Sequence, residues 1–145
     1  MKDLKIKKIR TKKDLEKALK IREIVFIKGQ KVPRKRERDG LEDKCVHFLA
    51  KYENKYIATA RIRPLNKKEV KFERIAVLKS HRKKGIGLAL VKHMIKYCKR
   101  NKFKKISLGA QFHSLKFYKK AGFETVGIIF LDVNIKHKKM IMKIA

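Results

Sequence analysis

The chain has 145 residues and a formal net charge of +30, from 43 Lys and Arg against 13 Asp and Glu. This length suits one compact domain over residues 1–145, and a hydrophobic fraction of 43% is enough to form its core. No run approaches the roughly 18 apolar residues of a membrane span, and the N-terminus lacks a signal-peptide pattern, so a cytoplasmic protein without membrane contact is expected. Cys45 and Cys98 stand far apart and without a second Cys or His at metal-ligand spacing, which argues against a disulfide framework and a zinc site.

The positive charge is the least ordinary feature of the composition, and it predicts attraction to polyanions. Most of the basic residues are lysines, and they are scattered over nearly every segment. Proteins that recognise nucleic acids usually concentrate their charge and use Arg for bidentate contacts, so a compositional bias is the favoured interpretation. Nucleic-acid contact stays open as the alternative.

Apolar periodicity and turn residues predict alternating strands and helices along the chain. Thr11 with Asp14 resembles a capping box, which indicates a helix beginning there and ending near residues 27–29. The other predicted elements are a strand at 2–10, a polar loop at 28–44, a hairpin of strands at 45–52 and 56–63, strands at 70–78 and 105–108, helices at 85–101 and 114–121, and closing strands at 123–131 and 140–144. This order predicts an α/β domain with a mixed, mostly antiparallel sheet, a parallel pair at its centre and flanking helices.

The turn over residues 82–87 is the strongest candidate for a binding site. A strand, a short basic turn with glycines and a helix together present free backbone N–H groups and a positive helix end to an anion. Gly85 and Gly87 lack a Cβ, so phosphate oxygens can approach the backbone closely. The P-loop and the dinucleotide fingerprint are excluded, the latter because Leu90 stands where a third small residue is needed. On its own, this pattern is equally that of an ordinary helix start.

A second segment strengthens this interpretation. The turn after Phe72-Glu73-Arg74-Ile75-Ala76-Val77 resembles the acyl-CoA motif of GNAT acetyltransferases, and residues 117–123 resemble their second motif at matching spacing. Residues of both ends also look like the ElaA/YjcF-like branch, namely Val25, Phe26, Gln30, Pro33, Asp39, Asp43, His47, Phe130, Leu131, Asp132, Ile135 and His137. Gly29 departs from that branch, which usually has Glu before the Gln.

The resemblance implies acetyl-CoA as the co-substrate, with no metal. The strand edge at Ile75 to Val77 would then pair with the pantetheine arm, and the backbone N–H of Val77 would polarise the thioester carbonyl. The implied cofactor-binding residues are Ile75, Ala76, Val77, Arg82, Lys83, Lys84, Gly85, Ile86, Gly87, Leu88, Ser114 and Phe117. Ser114 has an alternative role as a helix cap.

Transfer to an amine needs a base, because a free alkylamine with a pKa of about 10 is mostly protonated at neutral pH. Glu73 lies four residues before Val77, which predicts that both share a strand face roughly 13 Å apart, so Glu73 is the candidate base. An ion pair with a lysine is its alternative. Tyr118 is the candidate acid, since the resemblance places it beside the sulfur of the cofactor, although it could simply pack as an aromatic.

The acceptor side carries fewer signals. His47 is the candidate acceptor-site residue or alternative base, with a satisfied, half-buried histidine as the other possibility. Gln111 is expected to line the site, whereas His113 is expected to face solvent and His137 to lie in a surface turn. The predicted function is transfer of an acetyl group to an amine of a small molecule or protein. The alternative is a basic GNAT-like module that binds RNA or ribosomal particles, and the oligomeric state stays open, with a dimer possible.

Overall fold

The computed structural model describes residues 3–144, so the predicted strand residue Lys2 lies outside the described part. Seven strands and four helices alternate broadly as the sequence predicts. The strands are β1 (Leu4–Lys8), β2 (Val46–Tyr52), β3 (Lys55–Pro64), β4 (Glu69–Val77), β5 (Lys105–Gln111), β6 (Glu124–Asp132) and β7 (Ile135–Lys143). The helices are α1 (Lys12–Arg22), which continues as a π-helix over Glu23–Gly29, α2 (Arg34–Glu37), α3 (Ile86–Arg100) and α4 (Leu115–Lys120).

The strands form one sheet in the order β1-β2-β3-β4-β5-β7-β6. Within the described residues, β4 and β5 are parallel and the other neighbouring pairs are antiparallel. The predicted α/β class, with a parallel pair at the centre of a mostly antiparallel sheet, is therefore confirmed. Thr11 caps α1 as predicted, because its side chain accepts a hydrogen bond from the N–H of Asp14 at 3.1 Å.

Helices cover both faces of the sheet. The apolar side of α3, which includes Leu90, Met94 and Cys98, packs against one face, and α1 packs Ala18 and Ile21 against the other. Burial raises the pKa of the Cys98 thiol to about 12, which fits its predicted place in the core. No helix in the described range 3–144 is long and apolar enough to cross a membrane.

The central parallel strands separate soon after they meet. Their pairing covers only Glu69 to Lys71 on β4 and Lys105 to Ser107 on β5, although both strands continue further. Beyond Lys71, the edge of β4 that faces β5 therefore has no strand partner. This opening creates a gap in the middle of the sheet, at the end where α3 begins.

A β-bulge interrupts β4 beside this gap. The register against β3 shifts between the pairs Thr59↔Ala76 and Arg61↔Glu73, and Arg74 adopts a left-handed φ of 57°. The extra residue reverses the alternation of side chains, because successive residues of a strand point to opposite faces. The prediction that Glu73 and Val77 share a strand face is therefore wrong: Glu73 lies on the α1 face with Arg61.

Candidate active site

A cleft of about 960 Å³ occupies the gap between β4 and β5 and extends to the first turn of α3. The described residues that line it come from both motifs and from the segment before β2. From the predicted cofactor site they include Ile75, Ala76, Val77, Arg82, Lys83, Gly85, Ile86, Gly87, Leu88, Ser114 and Phe117, and from the predicted catalytic and acceptor residues Glu73, Tyr118 and Gln111. Residues that are far apart in the sequence thus meet in one cavity.

The turn before α3 presents its backbone to this cleft. Gly85 has a φ of 80° and Lys83 a φ of 63°, which bends the chain sharply so that the helix begins at Ile86. The first backbone bond of the helix runs from the N–H of Ala89 to the carbonyl of Gly85. The N–H groups ahead of Ala89 have no acceptor within the helix, and they lie at its positive end, where a diphosphate is best held.

Side chains around the turn take different roles. Arg82 reaches back across the cleft wall, and its Nε donates to the carbonyl of Val77 at 2.9 Å. Ile86 is buried in the core, so only its backbone is available to a ligand. Lys84 does not line the cleft, because its ammonium lies 5.8 Å from the ring centroid of Tyr52. The positive charge of Lys84, which was expected to help bind the cofactor, therefore points away from the cleft.

Gly87 allows two cleft walls to meet. A Cβ at this position would lie 3.3 Å from Cζ of Phe117 and 3.7 Å from Cγ2 of Val77. The first turn of α3 thus packs directly against the Phe117 ring, which links the anion-binding turn to α4. Ser114 lines the cleft at the start of α4 but makes no capping hydrogen bond, so the alternative role as a helix cap is not found.

The free edge of β4 carries the N–H that the sequence assigns to the thioester carbonyl. Leu78 donates its N–H to the carbonyl of Ile57 on β3 at 2.9 Å. Because successive N–H groups of a strand alternate in direction, Val77 directs its own N–H to the opposite edge, into the gap toward β5. An extended ligand in the gap can therefore pair with β4 as a further strand would.

Tyr118 lies on α4 beside the same gap. Its ring makes edge-to-face contacts with Phe117 at 4.9 Å and with Phe123 at 6.0 Å between centroids. Burial raises the pKa of the phenol well above its ordinary value near 10. The hydroxyl therefore stays protonated over the whole neutral range, as a proton donor requires.

Glu73 lies in the cleft wall but belongs to an ion-pair network. Its Oε1 accepts from Nη2 of Arg61 at 3.0 Å and lies 3.1 Å from Nε of Arg63, while Lys71 approaches Oε2 at 3.6 Å. Arg61 is fully buried and also donates to Asp39 and Glu42. The alternative that the sequence allowed for Glu73, an ion pair, is present in the structure, with arginines as the closest partners.

The same network anchors the loop that forms the acceptor side of the cleft. Arg22 is buried, and it donates through Nε to Glu37 at 2.7 Å and through Nη2 to Glu42 at 3.0 Å. Burial alone would raise the pKa of Asp39, but hydrogen bonds from Arg61 and from the N–H of Leu41 outweigh it and hold that pKa well below its ordinary range. The Asp39 carboxylate is thus ionised and held in place by Arg61.

Two pairs of side chains bridge the acceptor end of the cleft. The carboxamides of Gln30 and Gln111 donate to each other at 3.3 and 2.9 Å, and His113 lies 2.8 Å from Oε1 of Gln111. Arg36 of α2 donates to Asp132 at the end of β6 at 3.0 Å. The predicted place of Gln111 at the site is supported by this geometry, and Gln30, which directly follows the π-helix, lies beside it in the cleft lining.

His113 is exposed as expected, whereas His47 fits its alternative as a satisfied histidine and His137 differs from its predicted place. His47 is buried under the loop, with Nε2 2.9 Å from the carbonyl of Glu42, and it does not line the cleft. Burial lowers the pKa of its imidazole, which is therefore neutral at pH 7. His137 is also buried rather than in a surface turn, and it lines the cleft with its ring stacked on Phe130.

Comparison with known proteins decides the family. A sequence model of the acetyltransferase (GNAT) family matches residues 15–123. The chain belongs to the GNAT acetyltransferase family. The predicted acetyl-CoA-dependent N-acetyltransferase of the GNAT fold is thereby confirmed.

Relatives and solved structures agree with this family. The chain is 35% identical to YjcF of Bacillus subtilis, an uncharacterized N-acetyltransferase, over 90% of this chain and 94% of YjcF. The crystal structure of ElaA from Escherichia coli covers 95% of this chain and 98% of its own, with 24% identity and a TM-score of 0.86. A GNAT family acetyltransferase from Elizabethkingia anophelis, solved with acetyl-CoA bound, covers 99% and 100% with 20% identity and a TM-score of 0.74.

Proposed function

We propose that this GNAT domain transfers an acetyl group from acetyl-CoA directly to the amine of an acceptor that enters past Gln30 and Gln111. The observation that carries the proposal is the unpaired edge of β4, which ends beside the free N–H groups of the turn before α3. One site thereby offers strand-like pairing to the pantetheine amides and an anion site to the diphosphate. The acetyl-CoA in the Elizabethkingia anophelis structure supports the same co-substrate here.

In this reaction the amine nitrogen attacks the thioester carbon, and the Val77 N–H donates to the carbonyl oxygen as negative charge develops on it. Collapse of the tetrahedral intermediate breaks the carbon–sulfur bond. The Tyr118 phenol then gives its proton to the departing thiolate, while the new amide loses its extra proton to solvent in the open cleft. The position of Tyr118 in the cleft lining supports this role, and its half-buried phenol holds its proton at neutral pH until the thiolate departs.

The role of Glu73 differs in this proposal from the role that the sequence suggests. Both of its oxygens already accept from guanidinium groups, Oε1 from Arg61 and Oε2 from Arg63, which stabilises the carboxylate and makes it a weaker base. We propose that Glu73 positions Arg61, which in turn holds Asp39 and the acceptor loop. The general-base role stays a prediction from the sequence.

The acceptor side combines carboxamides, aromatic rings and paired charges. Gln30 and Gln111 can each exchange their mutual hydrogen bond for one to a substrate amide or hydroxyl. A primary amine with polar groups nearby therefore suits this end of the cleft. Among the structural neighbours, an aminoglycoside 6'-N-acetyltransferase solved with coenzyme A is an example of a GNAT fold with such an acceptor. Nucleic-acid contact stays a prediction that rests on charge alone.

Replacing Tyr118 by Phe is expected to lower kcat about 100-fold, which is the usual contribution of a general acid. Affinity for acetyl-CoA should change less than about threefold, because the ring that packs between Phe117 and Phe123 is retained. Turnover can be followed by CoA release with a screened panel of amines, and affinity by calorimetry. Phe117→Leu is the control for lost packing. An unchanged kcat in Tyr118→Phe would remove the phenol from the mechanism.

Replacing Glu73 by Gln is expected to lower the melting temperature by several degrees while kcat stays within about threefold, because the change weakens the pairing of buried Arg61 rather than a proton transfer. Glu69→Gln, on the same strand, is the matched control. The measurements are thermal unfolding and kcat as a function of pH. A fall in kcat of about 100-fold together with loss of the acidic limb of the profile would restore Glu73 as the base.

A further inference from the structure

The carboxylates that line the cleft are all held by arginines. Among residues 3–144, the lining contains four carboxylates, and each of them is ion-paired with a guanidinium group. The pairs are Glu37 with Arg22, Asp39 with Arg61, Glu73 with Arg61, and Asp132 with Arg36. A second ammonium group on an acceptor would have to break one of these pairs, so the cleft does not suit a polyamine.

The ion pairs around the acceptor end leave an excess of positive charge. Seven Lys and Arg side chains take part in them, against five carboxylates, since Glu42 is the one further acid. An anionic group on the acceptor would balance this excess, whereas another cation would add to it.

Arg74 belongs to this network and has a hydrogen-bond donor to spare. It lines the cleft, and its Nη2 lies 3.1 Å from the carbonyls of Arg36 and Glu37 and 3.3 Å from Oδ2 of Asp39. Its Nε lies 3.1 Å from Oε2 of Glu37 without forming a hydrogen bond. Within residues 3–144 the hydrogen bonds of this side chain all come from Nη2, and 23% of the side chain is exposed. The loop thus fixes one corner of the guanidinium and leaves Nη1 for a ligand.

The backbone of Arg74 also supports a role for its side chain. Its φ of 57° lies in the left-handed region, which glycine adopts freely and which strains a residue with a Cβ. Strained positions of this kind cluster at ligand-binding sites. The bulge therefore keeps an arginine where a glycine would fit more easily, next to Ile75 and the free edge of β4.

We propose that the acceptor is a free amino acid, whose carboxylate binds Arg74 while its amine attacks the thioester. This inference rests on the proposed function. Arg74 precedes Val77 by three residues, which span at most about 10 Å along a strand, so the carboxylate and the amine are expected to lie within that distance. The reaction then yields an N-acetylamino acid, free CoA and a proton released to solvent, and the carboxylate is not consumed.

The first test compares each standard amino acid with its own α-carboxamide in acetyl transfer by the native chain, followed by CoA release. We expect kcat/KM for the best amino acid to exceed that for its carboxamide by at least about 100-fold, because an amide cannot form the charge-assisted bond with Arg74. Amine basicity works against this result, since the carboxylate raises the pKa of the neighbouring ammonium. Spermidine, a polycation, should react more slowly than either.

The second test repeats these pairs with Arg74→Gln. The preference for the carboxylate should fall below about fivefold, mainly through a higher KM for the amino acid. If Arg74 only held the loop, both members of a pair would lose activity alike and their ratio would stay as in the native chain. Arg63→Gln is the matched control: it removes a guanidinium from the same network but outside the cleft lining, so it should keep the ratio.

Two outcomes would overturn this inference and leave the proposed function standing. They are a native preference for carboxamides or spermidine, and an unchanged ratio in Arg74→Gln. Acetyl transfer to no amine at all, although acetyl-CoA is bound, would contradict the proposed function as well. The ratio in the native chain requires no variant, so it decides the matter even if Arg74→Gln fails to fold.

Discussion

Gly85→Glu is expected to raise the Kd for acetyl-CoA by at least about 100-fold. The residue has a φ of 80°, a left-handed conformation that costs a side chain about 1–2 kcal/mol. The new carboxylate would also lie beside the N–H groups ahead of Ala89 and repel the diphosphate that they hold. Isothermal titration with acetyl-CoA and with desulfo-CoA analogues measures the effect.

Lys84→Glu is the control for this variant. This substitution lowers the net charge more than Gly85→Glu does, at the neighbouring position. The Lys84 side chain, however, points toward Tyr52 and not into the cleft. We expect its Kd to rise less than about fivefold at physiological salt, where exposed charges are screened. If both variants lose affinity equally, general charge rather than the geometry of the turn holds the diphosphate. Retention of tight binding by Gly85→Glu would place the cofactor elsewhere.

Arg61→Gln is expected to destabilise the fold by about 3–5 kcal/mol, which is the usual cost of breaking a buried ion pair. Arg61 is fully buried and donates to Asp39, Glu42 and Glu73 at once, so its loss leaves three carboxylates without their shared partner. For a domain of this size, the melting temperature should fall by roughly 10 °C. Urea and thermal unfolding measure the change.

Arg63→Gln is the matched control, because it pairs with the same Glu73 but is 30% exposed. The change in the free energy of unfolding should stay below about 1 kcal/mol in this variant.

The pH dependence of stability provides a further check through Asp39, whose folded-state pKa is lowered. Its contribution to stability is present above the unfolded pKa of about 3.9 and is lost as the pH falls toward the folded value. The difference between the native chain and Arg61→Gln should therefore narrow below about pH 4. A constant difference would argue against this network.

Much of the fold follows from local patterns. The apolar stripe of α3, the cap at Thr11 and the turn at 82–87 all depend on neighbouring residues, and each is found as predicted. The bounds of the last strand were too narrow, since β7 begins at Ile135. Residues 135–139 include three lysines and residues 140–142 are all apolar, so the regular alternation that marks a half-buried strand is missing from this segment.

The acceptor side was harder to predict, because it depends on contacts between distant segments. Gln30 and Gln111 are 81 positions apart, and nothing in either segment indicates that their amides meet. His47 looked like a site residue by type, but the loop before β2 folds over it. The bulge at Arg74 leaves no signal in composition, since a non-glycine residue takes the left-handed conformation there. These features are products of tertiary packing rather than local preference.

The bulge in β4 makes the length of this strand as important as its composition. Deleting Arg74 would remove the extra residue of the bulge and restore a regular alternation. Phe72 and Ala76 would then be three positions apart, so they would still lie on opposite faces, Phe72 in the α3 core and Ala76 in the α1 core. If the bulge were lost while Arg74 stayed, both residues would face the same side and one of them would leave its core. The bulge and the residue count between Phe72 and Ala76 must therefore change together, which makes them a joint constraint on the domain.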